Sequence, residues 1–479
     1  MSPLTLSQYS PSPPSGAILL LRLAHVAIHC PSLAQQSITM AVTAGKNGKD
    51  TQLYLQLCDL ASKLGMQEPA QPDTTWVEKQ DEGNRRELAR LEGELRGYKN
   101  NLIRESIRMG QEDMASHLLA TGGPPKQPPQ PVPADDQQQQ QQDNTPKGYN
   151  AAYQAYGKMR DYCTTPSHIA SMTLRLIYTS LLQTVSAQQL GNPVSAHANA
   201  VVLNTVRLRG VGVKPEEQAR LDPISYAMEG IGRLAQGDYR SAAKSFLQTA
   251  PEYSTLGPVA ATDFTRAAAT GNDIAIYGGL TALATMSRTD LTSLVLGGPF
   301  RAFLELEPHM RKAISLFTTA KYQACLSLLR HYYSDWSLDV FLGARNNLGE
   351  THIDRLFAVI REKSITSYFS SFSEVSLDSL ASTFPPSSNS LTAMEDECIS
   401  MIESGKLDAR IDVVNGVLVA PQVDARQSAF AKAKETADEI ERTLLLRLHK
   451  VNMTLAGLEI PKIETGKSWQ QGVRSGNGY

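Results

Sequence analysis

The chain has 479 residues, a formal net charge of −2 and an ordinary apolar fraction of 41%. That length admits two or three domains with sizeable cores, and the near balance of charge gives no general attraction to nucleic acid or to an acidic membrane surface. Five scattered cysteines, Cys30, Cys58, Cys163, Cys325 and Cys398, include no C-x-x-C pair, which suits a reducing compartment and argues against a disulfide framework or a zinc site.

In chain order, residues 1–16 are rich in Ser and Pro and are expected to be disordered. The stretch AILLLRLAHVAIHC, from Ala17 to Cys30, is too short to span a membrane. It contains Arg22 and two histidines, and no Lys or Arg precedes it, so it does not fit a secretory signal either. A buried first helix, ended before Pro31, is expected. His25 and His29 stand four apart, a spacing open to a metal, but no H-E-x-x-H acidic partner accompanies them, so a structural role is preferred. Residues 17–77 read as a block of N-terminal helices, two or three of them by Gly65. A long charged helical stretch runs from Glu78 to about Ala120, with Leu88, Leu91, Leu95, Leu102 and Ile103 as its apolar side. Residues 122–147, GGPPKQPPQPVPADDQQQQQQDNTPK, are a low-complexity insert expected to form a disordered loop between two paired helices.

The pattern then repeats loosely. Tyr149, Ala152 and Tyr156 stand at spacings of three and four, as do Tyr239, Ala242 and Phe246, and again Tyr322, Cys325 and Leu329. A small residue between two large ones lets paired helices approach closely, so residues 78–345 are read as a degenerate α-solenoid of TPR-like helical hairpins.

Residues 346–424 carry a different signature. Ile353, Leu356, Phe357 and Ile360 share one helical face; a short helix SLDSLASTF, capped by Ser376, stops at Pro385–Pro386; and Leu391, Met394, Cys398 and Ile402 stripe a third helix that ends at Gly405. The period then falls to two. Leu407, Ala409 and Ile411 alternate with polar residues, and the turn pair Asn415–Gly416 leads into Val417–Val419. Three helices and a β-hairpin in that order predict a winged helix. Its third helix bears Glu395, Asp396, Glu397 and Glu403 with no Lys or Arg before Lys406, which would repel a DNA groove. A winged-helix nucleic-acid-binding protein is therefore the less favoured reading, and Leu407, Ala409, Ile411, Val417 and Val419 are expected to offer strand edges to a neighbouring protein.

A terminal helix is predicted over 425–457. Phe430, Ala433, Ala437, Ile440 and Leu444 form a heptad seam, and Leu448, Val451 and Leu455 extend it after a small shift. Such a stripe must be buried, and joining a bundle of helices from other chains is the preferred solution. The tail, 458–479, reads as flexible. Gly466–Lys467–Ser468 resembles the end of a phosphate loop, but Pro461 stands where that motif needs Gly. Gly230-Ile231-Gly232 lies inside a helical repeat, not after a strand. There is no G-x-S-x-G and no His-x-His set for a metal-dependent isopeptidase. No catalytic, cofactor-binding or metal residue is assigned.

The order of helical repeats, winged helix and terminal helix resembles that of the PCI domain proteins, scaffold subunits of the proteasome lid, the COP-nine signalosome and a translation initiation factor complex. The carrying segments are RLAHVAIHCPSL (22–33), LRGYKNNLIRESIRMGQEDMASHLL (95–119), KMRDYCTTPSHI (158–169), DIAIYGGLTALATMSRTDL (273–291), FRAFLELEPHMRKAI (300–314) and the stretch from Arg361 to Asp424. They are most similar to the signalosome members. The resemblance implies a non-catalytic scaffold, mostly α in fold, working in cytoplasm and nucleus without cofactor, nucleic acid or membrane. The implied partners are signalosome subunits two and three, the metalloprotease subunit and, through the complex, the cullin-RING ligases from which it removes Nedd8. The equivalent proteasome-lid subunit is the alternative within the fold. At 122–147 the chain departs from the family's short turn.

Overall fold

Tyr149, Tyr239 and Tyr322 each open a helix in the computed structural model, which describes residues 17–66, 71–124, 148–259, 262–345, 349–385, 392–421 and 425–458. Residues 1–16, the insert beyond Pro124, Leu391 and the tail beyond Leu458 lie outside the described residues, and so does Gly466–Lys467–Ser468. The described residues form two compact units. One runs to Phe372 and adds Ser379–Glu397; the other holds Ser373–Asp378 and the chain from Cys398.

In the first unit, α1 (Ala17–His29), α2 (Pro31–Lys46) and α3 (Thr51–Lys63) stack in sequence. The single charged stretch expected after them is two helices, α4 (Thr74–Asn100) and α5 (Arg104–Ala120). Asn101 ends the first, and Leu102 takes a left-handed φ of 55° that no helix tolerates. Leu102 and Ile103 consequently face solvent rather than the apolar side, while Leu91 and Leu95 are buried as expected.

Next come α6 (Tyr149–Met159), α7 (Pro166–Gln189), α8 (Ser195–Arg209), α9 (Pro215–Gln236) and α10 (Tyr239–Leu247). The short α11 (Phe264–Ala267) precedes α12 (Gly271–Thr285), α13 (Arg288–Asp290), α14 (Arg301–Leu306), α15 (Pro308–Thr318) and α16 (Tyr322–Trp336). The three tyrosine-led helices are each the second of a hairpin, packed on α5, α9 and α15 respectively. Their small residues are fully buried at the crossing: Ala152, Ala242 and Cys325. The two glycines of α9 have the same purpose. A Cβ on Gly230 would stand 2.5 Å from the Phe246 ring, and one on Gly232 3.0 Å from Val202. The sequence Gly230-Ile231-Gly232 is thus a helix-packing notch.

The winged-helix order follows: α17 (His352–Phe369), β1 (Glu374–Ser376), α18 (Leu377–Thr383), α19 (Thr392–Glu403), β2 (Arg410–Asp412) and β3 (Val417–Val419), and then α20 (Ala425–Leu455). Thr351 caps α17 by accepting from the Asp354 amide. Ile353, Leu356 and Ile360 are buried, and α17 packs on α12 and α16, so the solenoid packs directly onto the first winged-helix element.

In the second unit the sheet has three strands, not two. The order is β1–β3–β2, all antiparallel, with Val417 opposite both Ser376 and Asp412 and Val419 opposite both Glu374 and Arg410. Val417 and Val419 therefore occupy the middle strand and offer no edge. The edges belong to β1 and β2. Ser376 ends β1, so the second helix starts one residue later, at Leu377. Leu407 and Ala409 precede β2 and are buried at 2% and 8% exposure; among the expected edge residues, only Ile411 lies on an edge strand.

Candidate protein-interaction surfaces

Two surfaces of the second unit leave apolar side chains exposed. The first is the wing. Leu418 of β3 is fully buried, and its cross-strand neighbours are Val375 and Ile411. The tip is held by Asp412, whose carboxylate accepts from the Asn415 side chain at 2.8 Å and from the amides of Val414 and Asn415 at 3.1 and 3.3 Å. Those bonds, the Asn415 side chain first, keep the Asp412 carboxyl below the ordinary aspartate range. This Asx turn leaves Val413 and Val414 at 72% and 95% exposure. The sequence reading passed over this pair. The available signal was two β-branched residues between Asp412 and the Asn415–Gly416 turn, where polar residues are usual.

The second surface is α20. Its 31 residues make a rod of about 46 Å. Phe430, Ile440, Leu444, Leu448, Val451 and Leu455 are all more than half exposed, and Ala433 and Ala437 are also exposed. Leu445, Leu446 and Met453, outside the expected seam, add apolar surface to the C-terminal half. The seam advances by four twice in succession, from Ile440 to Leu444 to Leu448, which is a stutter in the heptad.

Glu397 on α19 is not a free charge. Arg361 donates to its two oxygens at 2.7 and 2.9 Å, and also to the carbonyls of Phe384 and Pro385. Glu395 is part-covered, while Asp396 and Glu403 are exposed, so the outer surface of this helix is acidic. The rings of His25 and His29 lie against each other, tilted by 35°, with centroids 4.1 Å apart. His29 Nδ1 contacts the His25 carbonyl, and His25 Nε2 faces the Ser337 carbonyl. Burial, with the neighbouring His29 in second place, lowers the His25 pKa to about 4. Among the described residues no cluster of three or more potential metal ligands occurs, and no helix is long and apolar enough to cross a membrane.

Residues 73–124 and 148–294 match the family model described as 26S proteasome subunit RPN7, passing over the insert, and residues 329–422 match the PCI domain. Proteins described as COP9 signalosome complex subunit 1 align along almost the whole chain. That of Emericella nidulans is 39% identical over 89% of this chain and 78% of its own length. That of Neurospora crassa is 32% identical over 92% and 88%. That of Arabidopsis thaliana is 30% identical over 91% and 87%. The chain belongs to the COP9 signalosome subunit 1 family of PCI-domain proteins.

Proposed function

We propose that this chain is a non-catalytic scaffold subunit of the signalosome, the complex that removes Nedd8 from cullins and so regulates cullin-RING ubiquitin ligases in cytoplasm and nucleus. The observation that carries the reading is α20, a 31-residue helix whose leucine-rich seam lies open to water. An apolar stripe of that length is stable in solution only when something covers it. In the proposed assembly the seam enters a bundle with helices of other subunits, and the wing offers its outer strands β1 and β2 to the PCI subunits two and three. The metalloprotease subunit of the same complex supplies the metal chemistry, for which this chain offers no ligand set among the described residues. The acidic surface of α19 speaks against duplex DNA as the wing's ligand. The proteasome-lid alternative draws on partial matches: the RPN7 family model stops at residue 294, and the RPN7 subunit of Saccharomyces cerevisiae is 24% identical over 42% of this chain.

Native affinity purification of the tagged chain, followed by mass spectrometry, tests the assignment. Recovery of PCI partners with a Nedd8-removing metalloprotease is the expected outcome; recovery of proteasome lid and ATPase subunits would transfer the chain to the alternative. Replacing Ile440 and Leu444 together with Asp places two charges in the covered seam and is expected to abolish recovery of the partners. Full retention would remove α20 from the assembly interface.

A further inference from the structure

The residues of the α20 seam differ in size in an ordered way. Ala433 and Ala437 are small, Ile440 and Leu444 are large, Phe430 stands ahead of them and Arg447 behind. All lie on one helix, and all are exposed. The order has a consequence for how two such helices fit together.

In a parallel pair each seam layer meets its own copy. Ala433 would face Ala433 and Ala437 would face Ala437, leaving two adjacent layers underfilled, while Phe430 would meet Phe430. In an antiparallel pair centred between Asp438 and Glu439, Ala433 faces Leu444 of the second copy and Ala437 faces Ile440. Every such layer then holds one small and one large side chain, which fills the interface evenly. Arg447 falls opposite Phe430, where its guanidinium can lie on the ring.

The flanking charges point the same way. Lys434 and Glu441 each follow a seam residue, so both line the same side. Antiparallel pairing sets Lys434 of one copy beside Glu441 of the other, twice by symmetry. In a parallel pair they would face the opposite flank, which holds Ala429, Thr436 and Thr443 and no charge. The stutter after Leu444 turns the later leucines off this axis, which confines the fit to Phe430–Arg447. An interface of that length is small, so the pairing is weak and exchangeable.

We propose that the chain, before it meets other subunits, pairs with a second copy of itself through antiparallel contact of α20 over Phe430–Arg447. The pairing shields the seam and yields to the larger interface of an assembly. It concerns the free chain, so its failure would leave the assembly reading intact.

The test uses the full-length chain purified without partners. Sedimentation across protein concentrations is expected to give a reversible monomer–dimer equilibrium, and Ile440→Asp is expected to abolish it. Glu441→Lys places like charges together at both symmetric positions and is expected to weaken the dimer about five-fold. The exchange Lys434→Glu with Glu441→Lys is expected to restore it. For orientation, a mixture of Ala433→Cys and Leu444→Cys chains should cross-link on oxidation, whereas Ala433→Cys alone should not exceed the unsubstituted chain. A strictly monomeric chain, a charge exchange that fails to restore pairing, or cross-linking of Ala433→Cys to itself would each overturn the proposal.

Discussion

α1 and α20 are both rich in leucine, and they end in opposite states. Of the 13 residues of α1, nine are buried, including Arg22 and His25. Of the 31 residues of α20, those whose exposure is described are exposed, Ser428 alone being half-buried. The difference lies in what meets each helix. α1 reaches far along its own chain: Gln189 donates to the Leu21 carbonyl at 2.6 Å, and Arg22 donates to the Ala268 carbonyl at 2.5 Å and to Asp273 at 3.3 Å. α20 finds no such cover among the described residues. An apolar stripe announces that burial is needed; it does not say which chain supplies the cover.

The comparison is most sharply tested at Arg22. Its side chain is 10% exposed, pairs with Asp273 and lies over the Phe341 ring at 5.7 Å. Through the segment 337–344 this contact also reaches α17, because Ile353 and His352 donate their amides to the Leu342 and Ala344 carbonyls. Arg22→Ala removes the anchor and leaves the part-buried Asp273 carboxylate without its cation, at a cost of about 3 kcal/mol. The urea midpoint followed by helical circular dichroism is expected to fall accordingly. An unchanged midpoint would mean that α1 is as dispensable to the fold as its exposed counterpart.

A second difference should appear in acid. Burial lowers both His25 in α1 and His352 at the start of α17 to about 4. His25 is faced by His29 and the Ser337 carbonyl; His352 has the Tyr239 hydroxyl at 3.0 Å on Nδ1. Both are held neutral in the folded chain. Above the ordinary histidine value neither state binds the proton, so stability does not change there. As pH falls from 6.5 towards 4, the unfolded chain takes up protons that the folded one refuses, and stability drops. At pH 5 the loss is roughly 2 kcal/mol per histidine. Urea midpoints measured between pH 7.5 and 5 should fall, and His25→Asn with His352→Asn should flatten the slope. An unaltered slope in the double variant would show that these sites do not carry the acid sensitivity.

Local patterns were legible where one residue type decides the geometry. Tyr149, Tyr239 and Tyr322 marked hairpin helices because the small residue three positions on must lie at a helix crossing. Gly416, with φ of 62°, was readable from Asn415–Gly416 as a turn. The α4–α5 break was harder to see, since Leu102 is an unusual residue for a left-handed φ; the Asn100–Asn101 pair ahead of it was the available cue. β1 is three residues long, too short to display alternation, so the middle position of β3 was hidden and Val417 and Val419 were taken for edge residues. The docking of α1 could not be read locally at all, because Arg22 and Asp273 stand 251 positions apart. At the candidate surfaces the seam was legible from its spacing. The tip valines were not, because nothing in a hairpin's period distinguishes an exposed valine from a buried one.

The smallest expected effect is the most discriminating. Leu444 is 57% exposed, so Leu444→Ala removes apolar surface that already faces water. Its cost to the free chain at dilution should be below about 0.5 kcal/mol. A leucine-to-alanine change at a buried site opens a cavity and costs roughly 2–5 kcal/mol. Leu23, fully buried in α1, is the matching site. The same truncation of Leu444 should nevertheless weaken recovery of partner subunits, because there the lost side chain is a lost contact. Stability and assembly are thus expected to separate at Leu444 and to fall together at Leu23. If Leu444→Ala lowered the urea midpoint of the dilute chain as far as Leu23→Ala, α20 would already be covered without a partner, and the contrast between the two helices would disappear.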